Sequence, residues 1–131
     1  MDYFNSFFFF VSRVSFAEMK VLKHSKVVVN AENSGKDTPF YIACQEVHKE
    51  VVSLLLADMR IDVNMSATDQ CTPLWVASRF GHLRVVQLIL ASGREVDTKI
   101  KSIAGPDAWN NKTAAEMARY QATRATLSTR A

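Results

Sequence analysis

The strongest constraint on this chain is an internal repeat. The stretch DTPFYIACQEVHKEVVSLLL, from Asp37 to Leu56, recurs thirty-four residues later as CTPLWVASRFGHLRVVQLIL, from Cys71 to Leu90. Thr38 matches Thr72, Pro39 matches Pro73, Ala43 matches Ala77 and His48 matches His82. Val51-Val52 matches Val85-Val86, Leu54 matches Leu88 and Leu56 matches Leu90. A fixed period with apolar and turn residues in phase marks stacked supersecondary units. Such a chain is built along one axis, each unit covering its neighbour, and has little interior per residue.

Within each copy the local signals agree. Thr38-Pro39 and Thr72-Pro73 read as helix starts, because Thr caps well and Pro is welcome in the first turn. Phe40, Ile42, Ala43 and Cys44 are the apolar positions of a short first helix. Glu46, Val47 and His48 form a turn, and Gly81-His82 does the same in the second copy. Glu50 to Leu56 is a second helix. Its apolar stripe is broad enough for burial on two sides, as between stacked neighbours. Arg60 to Thr68 is an extended loop. In the second copy Ala91, Ser92 and Gly93 stop the helix, and Arg94 to Asp97 is again a loop arm.

The flanks keep the phase less well. Val21-Leu22 lies on Leu55-Leu56 and Val29-Asn30 on Val63-Asn64. Residues Phe16 to His24 therefore read as the second helix of a degraded repeat, and Ala31 to Lys36 as a turn. Thr113 begins TAAEMARY, a first helix with Ala114 in place of Pro, but forty-one residues after Thr72. About seven residues are thus inserted, assigned to Lys99 to Asn111. Ala122 to Ala131 are left for a short, polar second helix with a fraying tail. The resulting division is 1–15, a divergent apolar segment; 16–36, a partial repeat; 37–69 and 70–99, two full repeats; 100–111, an inserted loop; and 112–131, a half-repeat. The apolar run Phe7 to Phe10 is too short for a membrane span, which needs about 20 residues, and it lacks the leading basic residues of a signal peptide. Three readings fit residues 1–15: a helix capping the first repeat, a hydrophobic patch that seeks a partner, or a segment outside the natural fold.

Composition narrows the function. Lys and Arg number 16 against 13 Asp and Glu, a net charge of +3. The basic residues are scattered, whereas a nucleic-acid binder gathers them on one face. Neither nucleic acid nor membrane is expected as a partner. Cys44 and Cys71 have no CxxC spacing and no paired His motif, and free thiols fit a reducing, cytoplasmic setting. Cys44 falls on a core-facing position; Cys71, just before a helix start, is expected to be partly exposed. His48 and His82 are repeat equivalents, on the order of 10 Å apart and too far to share a metal. No nucleophile elbow or phosphate loop is present. No metal, cofactor or catalytic residue is expected.

The motifs TPFYIA (Thr38 to Ala43), TPLWVA (Thr72 to Ala77), VVSLLL (Val51 to Leu56), VVQLIL (Val85 to Leu90) and IDVN (Ile61 to Asn64) resemble those of ankyrin repeats. The clear match covers Gly35 to Asp97. The resemblance implies an all-α solenoid of stacked helix-turn-helix units joined by β-hairpin-like loops. It also implies a non-enzymatic module, a monomer, that binds another protein through a concave face of loop tips and first helices. Carried over by position, the contact candidates are Asp37, Gln45 and Glu46 in the first unit. In the second they are Asp69, Cys71, Arg79 and Phe80; in the third, Lys112, Tyr120 and Gln121. Arg79, Phe80 and Tyr120 stand out, because exposed aromatics and Arg dominate binding energy. The alternative is a fragment of a longer array with no binding role of its own. The departures from the family pattern carry expectations too. The motif's His is replaced by Tyr41 and Trp75, expected to pack between units. Val47 replaces the turn Gly, at a cost of about 1–2 kcal/mol if its backbone is left-handed. Met59 stands where the second unit has Gly93.

Overall fold

A computed structural model of the chain describes residues 29–103 and 110–130, with side chains to residue 122. The readings of 1–15 and of the helix at 16–24 lie outside the described residues. Among the described residues five helices run in order: α1 (Pro39–Gln45), α2 (Lys49–Ala57), α3 (Pro73–Arg79), α4 (Leu83–Ala91) and α5 (Ala114–Arg130). No strand occurs among the described residues.

The Thr-Pro pairs work as read. Thr38 Oγ1 accepts from the Tyr41 amide at 3.2 Å, and Thr72 Oγ1 from the Trp75 amide at 3.1 Å. Each satisfies one of the amides a helix start leaves without a partner. Both first helices have seven residues, too short to persist alone in water, so tertiary packing holds them. The turn that follows needs a left-handed residue. Gly81 supplies it at φ 70°, and Val47 supplies it at φ 63°, so the first unit carries the expected strain. Met59 does not. The chain leaves α2 through an extended Asp58 (φ −90°, ψ 111°), whereas it leaves α4 through a helical Ser92 followed by Gly93 at φ 77°. Asp58 holds its different exit by accepting from the Arg60 amide and guanidinium, at 3.0 and 2.7 Å.

The units stack with α3 between α1 and α5, and α4 against α2. Phe40, Cys44, Val52, Leu55, Ile61, Ala77, Val85, Ile89 and Met117 are essentially fully buried along this axis. Each large side chain among them contributes about 1.5–3 kcal/mol by leaving water.

Among the described residues a backbone bond closes the chain ahead of each of α1, α3 and α5. The Asn33 amide donates to the Asp37 carbonyl, the Ala67 amide to the Cys71 carbonyl and the Ser102 amide to the Lys112 carbonyl. The residue before each closing position, Lys36, Gln70 and Asn111, is left-handed at φ 61°, 59° and 59°. Asn30 and Asn64 join neighbouring loops. Asn30 donates to the Arg60 carbonyl at 2.7 Å and accepts from the Asp62 amide at 2.8 Å. Asn64 does the same to Glu95 and Asp97, at 2.8 Å each. Those partners are thirty-five residues apart, not thirty-four. One inserted residue therefore precedes Glu95, and only the rest lengthen the third turn. The Asx turn moves with this register: Asp62 accepts from the Asn64 amide, and Asp97 from the Lys99 amide. Lys99 thus stands where Asn30 and Asn64 stand.

The third unit differs from expectation. Residues 114–130 form one continuous helix of 17 residues instead of a helix, a turn and a second short helix. At the turn positions of Gly81 and His82 the chain has Ala122 and Thr123. Ala is the best helix former, and neither residue readily enters the left-handed conformation that opens the turn.

Candidate functional site

The face made by the turns and first helices is where the sequence places contact residues. The structure sorts them into three groups. Asp37, Asp69 and Arg79 gather around the phenol of Tyr41, which is buried. Burial pushes that phenol well above its ordinary value, and Cys71 and the two carboxylates add to the effect while Arg79 opposes it. Asp37 is half-buried, and its turn is held by Asn33, whose Oδ1 accepts from the Gly35 and Asp37 amides at 2.9 Å each. The exposed Asp69 takes the Ile103 amide of the next turn on its carbonyl at 2.9 Å.

The second group lies at the helix turns. Gln45 and Glu46 are exposed. The Gln45 carbonyl lies 3.0 Å from His82 Nε2; a carbonyl only accepts, so the imidazole donates. Phe80 is 45% exposed, although it ends a helix whose other residues are mostly buried. Its ring stacks on His82 with centroids 5.8 Å apart, and the Arg79 guanidinium sits 4.4 Å above it. The pair presents an aromatic edge with a delocalised cation above it, a combination suited to a partner surface.

The third group lies in the last unit. Lys112 is half-buried, and its carbonyl accepts from Trp75 Nε1 at 3.0 Å. Trp75 thus ties neighbouring units, and like Tyr41 it packs between them. Tyr120 packs partly against the core and Gln121 lines a groove beside α4. Cys71 is a correction: it is 7% exposed rather than partly open. Burial, with Asp69 adding, pushes its thiol up to about 11, so it is neither a contact nor a reactive group at neutral pH. Cys44 is buried and free as well.

Several polar anchors escaped the sequence reading. Arg94 reaches back to the Leu56 and Asp58 carbonyls at 3.0 and 3.4 Å and to the Ile61 carbonyl. Nothing in its local sequence announces this. The Asn30–Asn64 pairing had a signal, since the two residues share the repeat phase. Among the described residues no three His, Cys, Asp or Glu side chains come together as a metal site. Nor is any described helix long and apolar enough to cross a membrane.

A family model for ankyrin repeats in three copies matches residues 13–100. The chain belongs to the ankyrin repeat family. The ankyrin match takes in both full units and reaches back before residue 29, and it stops short of α5. Ankyrin repeats generally serve as protein-interaction modules and are generally non-enzymatic. A search of curated proteins returned no significant match.

Proposed function

We propose that this chain is a protein-binding ankyrin module that takes its partner on the concave face of turn tips and first helices. The observation that carries the reading is Phe80, a large aromatic left 45% exposed beneath the Arg79 guanidinium. Asp37 and Asp69 add carboxylates around Tyr41, and Gln45 and Glu46 extend the surface along the helix turns. Lys112, Tyr120 and Gln121 form its far edge, and Cys71 lies beneath it. The module acts as a monomer, and the two free, buried thiols support a reducing, cytoplasmic setting for it.

The test is to isolate a partner by crosslinking pull-down and titrate it by calorimetry. Replacing Arg79 and Phe80 together with Ala weakens binding at least about tenfold, which is 1.4 kcal/mol. The melting temperature changes little, since Phe80 is largely open to water and a cation–π pair near the surface contributes only about 0.5–1 kcal/mol. Failure to recover any saturable partner overturns the proposal. So does a double variant that loses stability rather than affinity.

A further inference from the structure

The stack of second helices stops one element early. α4 covers the Val52 and Leu56 side of α2, leaving those side chains 0% and 7% exposed. Their equivalents on α4 are Val86 and Leu90. Val86 is only half-buried and Leu90 is 56% exposed, with Leu83 beside them at 67%. Leu83, Val86 and Leu90 lie at i, i+3 and i+7, one stripe of the helix. The cause is α5, which runs straight on along α3 instead of turning back to lie on α4. What remains is a groove of about 270 Å³. Ala77, Gly81, Leu83 and Val86 form one wall, and Ala118 and Ala122 the other.

We propose that this groove is a second docking surface, which receives an amphipathic helix of another protein with an apolar stripe and acidic flanks. Continuity with the α2–α4 contact argues for a helix, because the same positions one repeat earlier are buried by one. Charge argues for acidic flanks. α4 carries Arg84 and no acidic residue. Arg119 follows Ala118 on α5 as Arg84 follows Leu83 on α4, and both arginines are exposed. The acid of α5, Glu116, is engaged at its own helix start by the Thr113 amide at 2.8 Å. A second copy is a poor occupant, since one stripe of three side chains falls far short of the roughly 1,200 Å² that a stable dimer buries. Neither Arg79 nor Phe80 lines it, and Gln121 is the residue it shares with the first-helix face proposed above.

The probe is a fluorescein-labelled helical peptide with Leu at i, i+3, i+4 and i+7 and Glu at the flanking positions. Fluorescence anisotropy follows its binding to the full chain. Saturable binding is expected, at least about tenfold weaker when Lys replaces the flanking Glu, because charge complementarity suppresses wrong partners. Leu83→Glu with Leu90→Glu removes the binding, and Ala118→Glu removes it from the opposite wall. Phe80→Ala leaves it unchanged, so failure here is distinguishable from failure at the first-helix face. Circular dichroism confirms that each variant folds. Equal binding of the Glu and Lys peptides, or wild-type binding by both groove variants, overturns the proposal. So does sedimentation showing a dimer that the Leu variants dissolve, which makes a second copy the occupant. Binding that appears only after deletion of residues 123–131 overturns it too, by making the chain's own end the occupant.

Discussion

Arg94 is the most informative residue to perturb, because a single side chain holds two units together. Its guanidinium donates to the Leu56 and Asp58 carbonyls and to the Ile61 carbonyl. These acceptors lie at and just beyond the C-terminal end of α2, where helix carbonyls lack intrahelical partners and the dipole is negative. Hydrogen bonds to a charged group contribute about 1.5–3 kcal/mol. The site is part-buried, so water replaces some of what is lost, and the cost of Arg94→Ala is set at about 2 kcal/mol. Urea denaturation followed by Trp fluorescence measures it. Arg60→Ala is the control. That guanidinium pairs with Asp58 at 2.7 Å, but it is exposed and two residues away, so its loss costs less than about 0.5 kcal/mol. Arg94→Lys recovers little, because an ammonium lacks the planar fork that reaches several carbonyls at once. In 0.5 M salt, roughly, the Arg94 effect persists and the Arg60 effect fades, since salt screens exposed charge pairs. An Arg94→Ala variant within about 0.5 kcal/mol of wild type, or no worse than Arg60→Ala, refutes the clamp.

Val47→Gly relieves the left-handed valine at φ 63° and raises stability by about 1 kcal/mol; a lower urea midpoint contradicts this. Asn64→Ala removes both bonds to the next loop and costs about 1–2 kcal/mol, with faster amide exchange at Asp97 as its local signature. Alkaline pH destabilises the fold through Cys71. Its folded thiol titrates at about 11 against an ordinary 9.0. The stabilising effect is therefore full below pH 9.0 and is lost as pH rises through about 11, because the unfolded thiol gives up its proton first. The urea midpoint drops between pH 8 and 10 on the order of this linkage, and Cys71→Ala shrinks the drop; an equal drop in both proteins refutes the assignment.

The repeat core was legible because its causes are local. Thr38 and Thr72 cap, Pro39 and Pro73 start helices, and Val51, Leu55, Val85 and Ile89 keep the buried stripe. Even the strain at Val47 followed from the offset to Gly81. What escaped depends on partners distant in sequence. Cys71 joins the core cluster, which its place just before a helix start does not announce. Met59 looked strained only if α2 ended as α4 does, and Asp58 took another exit. The repeat pattern predicts a turn at Ala122 and Thr123, but neither residue breaks the helix, and α5 runs on through both. The one-residue slip before Glu95 became visible only through the Asn64 bonds. At the candidate site, Arg79 and Phe80 were found by position, whereas the exposure of Leu83 and Leu90 depends on an element that does not return over them.

The bonds between units have a property in common. Asn30, Asn64, Thr68, Trp75, His82 and Arg94 each reach across to a backbone atom of the neighbour: Arg60, Glu95, Gly35, Lys112, Gln45 and Leu56, respectively. The Ile103 amide meets the Asp69 carbonyl in the same way. In each pair the receiving side chain takes no part. At exposed receivers such as Gln45 and Glu95, substitutions leave the joint intact as long as the main chain keeps its path. The receiving half of each bond is therefore blind to side-chain identity, and at the exposed Gln45 and Glu95 the chain is free to diverge toward a partner without loosening the stack.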